Sequence, residues 1–239
     1  MTTSFYAPPT AFHGGRVVLP EDEATHAVRV LRHRPGDEIV VVDGAGGWHR
    51  VRLDHVDRRR AAGTVVETRR GVGEPAYRLS IGLGLIKQRS RFETFLEKAT
   101  ELGVAEIVPL VTERTEKAGY NAARAEKLLV AAMKQCGRTV LAALRDPTPL
   151  AEVLDDASPA LRLLAHEAAG PHQALGTVLA RHSGAETIRV LVGPEGGFSD
   201  AEVGAAEAAG YGVVSLGPRR LRAETAGIVV AAAVQLAHP

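Results

Sequence analysis

Two glycine-proline loops near the C-terminal end carry the residues best suited to chemistry. The first is Gly193-Pro194-Glu195-Gly196-Gly197-Phe198; the second is Gly217-Pro218-Arg219-Arg220-Leu221-Arg222-Ala223-Glu224-Thr225. Each follows an apolar strand pattern, Ile188–Val192 and Val213–Leu216, and each runs into a helical one. Glycine lets backbone approach a ligand, and the first N–H groups of a helix have no partner within it. Loops at the carboxyl ends of strands are where open α/β sheets bind ligands. One loop is acidic and the other basic. Taken singly, either reads equally well as a tight turn. Neither matches a nucleotide-loop pattern: Gly82-Leu83-Gly84 reaches Lys87 where a dinucleotide fingerprint needs glycine, and no Gly-x-x-x-x-Gly-Lys-Ser/Thr run exists.

The elements that must position these loops alternate between strand and helix from about residue 73 onward, which predicts a parallel α/β sheet. Strands are expected at 77–85, 105–111, 161–165, 188–192 and 213–216. Ser90-Arg91-Phe92-Glu93 reads as a capping box opening a helix that buries Phe92, Phe95, Leu96, Ala99 and Leu102 and stops at Gly103. Asn121 can cap a helix to about Gln135, and a further helix is expected over 172–181. Ser199-Asp200-Ala201-Glu202 is a second capping box, for a helix ended by Gly210. An uncharged helix, Ala226 to Ala237, closes the chain; apolar on all sides, it must be buried in a core or against a second subunit. Ahead of a Gly71–Pro75 linker, short strands at 16–20, 38–42, 48–56 and 63–67, with a helix over 21–31, predict a small β-rich, barrel-like unit.

Composition narrows the class without naming it. Of 239 residues, 45% are hydrophobic and 24% charged, and the net charge is +1. Such a chain folds around an ordinary core, and its global charge does not announce a nucleic-acid binder. The lone Cys136 excludes an internal disulfide and points to a reducing cytoplasm; it is expected in the core, as a small apolar residue. No Cys/His cluster suggests a metal, and the most apolar stretch, Thr225 to Ala237, is too short to span a bilayer. The first 70 residues are rich in arginine, Arg29 and Arg32 among them, but acids offset the excess. Trp48 suits a core better than a base-stacking platform.

Leu191 to Ser199 with Glu202, followed by Leu216 to Ala226, resembles the signature of the RsmE family, SPOUT-class methyltransferases acting on 16S ribosomal RNA. Upstream, His26-Ala27-Val28-Arg29-Val30-Leu31-Arg32, Lys98 to Val104, Thr112-Glu113-Arg114 and Gln135-Cys136-Gly137-Arg138 resemble further family motifs in the right order, covering nearly the whole chain. Departures fall at Thr115-Glu116-Lys117 and at Lys134, where the pattern favours an acid. The resemblance implies a PUA-like RNA-binding domain over 1–72 and a SPOUT-type parallel sheet with a C-terminal trefoil knot over 73–239. It also implies S-adenosylmethionine as methyl donor, the N3 atom of a uridine in the small ribosomal subunit as acceptor, and a cytoplasmic homodimer.

On that basis Gly193, Pro194, Glu195, Gly196, Leu216, Gly217, Leu221, Arg222 and Thr225 are expected around the cofactor, and His26, Arg29 and Arg32 on RNA. Arg222 and Glu224 are the catalytic candidates. Read as two residues of an irregular loop, they offer a planar guanidinium for the uridine carbonyls and a carboxylate that orients Arg222, caps the helix or takes a proton. The residues leave two other readings open: a ribose 2′-O-methyltransferase of the same class, and a non-catalytic RNA-binding assembly factor.

Overall fold

The computed structural model describes residues 4–116, 120–167, 169–170 and 173–238. The chain forms two compact units, one comprising Met1–Glu74 and Val130–Leu141, the other Pro75–Leu129 and Ala142–Pro239.

The first unit holds a six-stranded mixed sheet. Its strands are β1 (Ser4–Tyr6), β2 (Phe12–His13), β3 (Arg16–Val18), β4 (Glu38–Val42), β5 (Gly47–Val56) and β6 (Ala61–Arg70), in the order β1-β4-β5-β6-β3-β2. Only β1 and β4 run parallel. Alternation along the strands sends Phe5, Val17, Ile39, Val41, Val51 and Leu53 into one core. Each fully buried side chain of this kind contributes about 1.5–3 kcal/mol.

The helix expected over 21–31 is α-helical only over α1 (Glu21–Thr25) and widens into a π-helical turn, His26–Val30. There the Leu31 N–H reaches back five residues to the His26 carbonyl, at 3.1 Å. The wider turn carries Leu31 off the buried side that holds Ala24 and Ala27, so Leu31 is exposed. Lys134 meets the buried Glu23, an acid that explains a base at that position. Glu74 accepts from the backbone N–H groups of Thr139 and Val140 (2.7 and 2.9 Å) and from Arg138 (2.8 Å), giving the Gln135–Arg138 motif an anchoring role. Cys136 is exposed, contrary to expectation, because it ends a helix whose buried side holds Leu129, Ala132 and Met133. Trp48 is half-buried and carries the Arg69 guanidinium 4.9 Å above its ring.

The second unit is an α/β layer on a seven-stranded sheet, all of whose pairs are parallel. Its strands are β7 (Arg78–Gly84), β8 (Glu106–Val111), β9 (Ala143–Leu144), β10 (Thr148–Pro149), β11 (Leu161–Ala165), β12 (Thr187–Val192) and β13 (Gly212–Val214). The order is β10-β8-β7-β12-β11-β13, with β9 also on β8. The helices are α2 (Arg89–Glu101), α3 (Ala122–Cys136, which runs on into the first unit), α4 (Leu150–Leu154), α5 (Leu175–Arg181), α6 (Asp200–Ala208) and α7 (Ala223–Ala237). His172, in the helix expected over 172–181, and Lys117 lie outside the described residues.

Asn121 caps α3 by accepting from the Arg124 N–H at 3.0 Å, and Ser199 with Glu202 forms the second capping box in full. The first box is absent. Helix α2 begins two residues earlier, after an uncapped Gln88, because the Glu93 carboxylate is held by Arg124 (2.5 Å) and Arg89 (3.1 Å).

Helix α7 starts at Ala223, three residues before the expected start, so the loop ends with Arg222 in the N-cap position and Glu224 lies in the first helical turn. Its buried stripe, Ala223, Ala226, Gly227, Val230, Ala231 and Val234, packs against α2, β7, α5 and β12. The approach is close at Gly227, where a Cβ would stand 2.6 Å from the Phe95 ring. The other face is not buried by the chain: Val229 and Leu236 are exposed. Among the described residues no helix is long and apolar enough to cross a membrane.

Candidate active site

Three segments at the carboxyl ends of parallel strands enclose a cavity of about 450 Å³. They are Ala165–Glu167 after β11, Val192–Phe198 after β12, and Ser215–Ala223 after β13. Neighbouring strands β11, β12 and β13 run the same way, so their ends and their loops converge on one edge of the sheet. Of the nine residues expected around a cofactor, Gly193, Pro194, Glu195, Gly196, Leu216, Gly217, Leu221 and Arg222 line this cavity. Thr225 does not; it is exposed on α7, because the helix has already begun and turns its side chain outward. Glu224 is not in the wall either. It is buried, 8% exposed, in the first turn of α7.

The loop after β12 is held by the segment that follows β8, whose Arg114 also lines the cavity. Arg114 Nη1 donates to the Gly196 carbonyl at 2.9 Å, and the Glu113 N–H donates to Glu202 Oε1 at 2.8 Å. Glu202 thereby serves twice, since its other oxygen accepts from the Ser199 N–H at 2.8 Å. The Thr112-Glu113-Arg114 motif is thus a strut beneath the loop.

The carboxylate of Glu224 is engaged by Arg91, on α2. Arg91 Nε donates to Oε1 and Nη2 to Oε2, both at 2.7 Å. A third N–H, on Nη1, donates to Glu195 Oε1 at 3.3 Å. Burial pushes the Glu224 carboxyl up; the Arg91 fork, its own backbone N–H and the charges of Arg91 and Arg222 outweigh burial and hold it below its ordinary value. The stability this pair confers is therefore present above the ordinary carboxylate range and lost as pH falls through the lowered value. Arg222, by contrast, is exposed at the cavity.

Sequence reasoning passed over Arg91 as an active-site residue, and over His166 and Glu167. The last two obey the strand-end rule that picked out the glycine loops, but lack glycine to draw attention to them. Arg91 stands 133 residues from Glu224, and nothing in local spacing signals that pair. His26, Arg29 and Arg32 belong to the first unit. His26 is half-buried with its ring edge-on to Phe5 at 6.0 Å, while Arg29 and Arg32 are exposed. Arg32 has φ of 59°, the single non-glycine positive φ among the described residues.

The family model for an RNA methyltransferase domain matches residues 73–235, and that for an RNA methyltransferase PUA domain matches 19–66. A ribosomal RNA small subunit methyltransferase E from Synechocystis is 31% identical over 221 residues, covering 91% of this chain and 72% of that relative. The chain belongs to this methyltransferase family. Its architecture agrees with solved members. The ribosomal RNA small subunit methyltransferase E of Neisseria gonorrhoeae, bound to S-adenosyl methionine, is 29% identical with a TM-score of 0.86, covering 100% of this chain and 98% of that one. A probable rRNA-methyltransferase from Porphyromonas gingivalis is 34% identical with a TM-score of 0.85, covering 98% of each. The cavity suits the family's cofactor: its volume lies within the ~300–1,000 Å³ typical of small-molecule and cofactor sites, and its wall offers glycine backbone between a few polar groups.

Proposed function

We propose that this chain transfers a methyl group from S-adenosylmethionine to N3 of one uridine in the 16S RNA of the small ribosomal subunit. The observation that carries this reading is the cavity formed by the glycine loops at the strand ends, with Arg222 exposed on its wall. The backbone of Gly193–Gly196 and of Leu216–Gly217, with Leu221, would hold the cofactor, which when bound supplies an already activated methyl group. The protein's part is then alignment of donor and acceptor. It must also favour the N3-deprotonated uridine, whose charge spreads onto the two flanking carbonyl oxygens. The Arg222 guanidinium is planar and permanently charged, so it can face such oxygens with two N–H groups at once. Glu224 supports the start of α7 from within the Arg91 fork; with both oxygens occupied and its carboxyl held ionised, it is a charge partner to the site in preference to a proton acceptor.

The decisive experiment is nucleoside mass spectrometry of 16S RNA from a strain lacking the gene. N3-methyluridine should disappear and return on complementation. Loss of a 2′-O-methyl nucleoside instead would replace this reading with a ribose methyltransferase. An unchanged nucleoside profile, with no binding of S-adenosylmethionine by calorimetry, would replace it with an assembly factor.

Three finer features complete the proposal. The 1–72 domain grips RNA phosphates through Arg29 and Arg32, with His26 beside them; Arg29 lies on the π-helical turn and Arg32 just past its end, and both are exposed. Each lost phosphate contact lowers the salt slope of binding by about one unit. The Arg29→Ala, Arg32→Ala double variant should therefore bind RNA with a visibly shallower slope, and an equal slope would remove these residues from the interface. The return of the chain from edge strand β13 to pack α7 on central β7 supports the SPOUT-type trefoil knot. The apolar side chains of Val229 and Leu236, exposed on α7, support a homodimer through that helix, working in the cytoplasm. Sedimentation at micromolar concentration should give twice the chain mass, and a monomer there would end the dimer reading.

A further inference from the structure

We propose that Arg91 is a positioning residue for methyl transfer: its guanidinium ties the two cofactor loops to helix α2 and so sets where Arg222 stands. The inference rests on the reading of the cavity as the S-adenosylmethionine site. Arg91 is the third residue of α2, and its side chain is 20% exposed. Its Nε and Nη2 hold both oxygens of Glu224 at 2.7 Å, and its Nη1 reaches Glu195 at 3.3 Å. One rigid, planar group thus joins the loop after β12 to the first turn of α7. Glu224 is the second residue of α7 and Arg222 is the N-cap, so fixing the Glu224 side chain fixes the turn on which Arg222 is mounted. A strut from another direction, Arg114 on the Gly196 carbonyl, holds the same β12 loop but leaves the second loop free.

The charge alone does not account for this arrangement. A partly buried ion pair gains little net stability once desolvation is counted. What the arginine adds is geometry, because parallel N–H groups define the orientation of the carboxylate as well as its distance. A lysine would keep the charge and meet Glu224 at a point, letting the first turn of α7 and Arg222 drift. Misplacement of about 1 Å can cost on the order of 100-fold in rate.

The test uses the full-length protein, with small ribosomal subunits from the deletion strain as acceptor. Cofactor affinity is measured by calorimetry, and the transfer step by single turnover at saturating cofactor. Arg91→Lys and Arg91→Met should each slow transfer by on the order of 100-fold, with the larger part of the effect in the rate and the smaller in affinity. Adding Glu224→Gln to Arg91→Met should cost nothing further, since one link has already been cut. Thermal melting followed by circular dichroism reports whether each variant is folded. If Arg91→Met does not fold, Arg91→Lys and Glu195→Ala decide, the latter removing only the third bond and slowing transfer less than Arg91→Lys. A purely structural arginine would lower the melting temperature and leave the rate per folded molecule unchanged. Wild-type transfer by folded Arg91→Lys, or additive losses in the double variant, overturns the positioning role while the functional reading stands. A wild-type chain that neither binds S-adenosylmethionine nor methylates uridine overturns the functional reading and this role with it.

Discussion

Arg222→Lys should slow methyl transfer by roughly 10²–10³-fold under single turnover at saturating S-adenosylmethionine, with cofactor affinity little changed. The size follows from what is removed. Charge develops on two carbonyl oxygens flanking N3, and a preorganised donor at such a position is worth that much in other enzymes. Lysine retains the charge and loses the second donor and the plane that fixes direction. The structure supplies the freedom this role needs: Arg222 is exposed on the cavity wall and its backbone is extended at the N-cap, φ −69° and ψ 153°. The companion variant Glu224→Gln should lower the rate through lost support for α7 but leave the shape of the pH–rate profile intact, because the carboxylate is ionised and bound to Arg91 on both oxygens. A profile that loses its acidic limb in Glu224→Gln would restore Glu224 as the proton acceptor. Arg222→Lys at the wild-type rate would exclude the electrostatic role.

The parts legible from sequence are those whose determinants are local. The long apolar strands β7, β11 and β12, the Ser199–Glu202 capping box and the Asn121 cap each depend on a few neighbouring residues, and each stands where expected within two residues. The glycine loops were legible for the same reason. The misses share a different cause. Strand β1 is three residues long and exists because β4, more than thirty residues on, pairs with it. Strands β9 and β10 are two residues each and carry too little pattern to read. The Ser90 box failed because Glu93 was claimed by Arg124, on another helix. In the site, His166, Glu167 and Arg91 reach the cavity through strand order and helix packing alone. Arg222 and Glu224 were found as residues, but their division of labour depended on Arg91.

Gly84→Ala should lower cofactor affinity by an order of magnitude or more and cost about 1–3 kcal/mol of stability. Gly84 is the last residue of β7, and a Cβ built there would stand 2.3 Å from the Pro194 backbone nitrogen and 2.8 Å from the Gly193 carbonyl carbon. These are backbone atoms, so no rotamer change relieves the overlap; either the strand or the loop must move. The strand is the stiffer of the two. It is central in the sheet, paired with β8 at Gly84 and Leu110 on one side and with β12 at Leu83 and Val192 on the other. The loop is the part that gives, and it is the loop that supplies Gly193, Pro194, Glu195 and Gly196 to the cavity. Gly176→Ala is the matched control, because its new methyl group would enter open space near the start of α5. It should leave cofactor binding untouched and hold or slightly raise stability, as alanine is the better helix former. Calorimetry on the two folded variants separates the cases. Should Gly84→Ala bind S-adenosylmethionine as tightly as Gly176→Ala does, the seat of the β12 loop on β7 does not control the cofactor site.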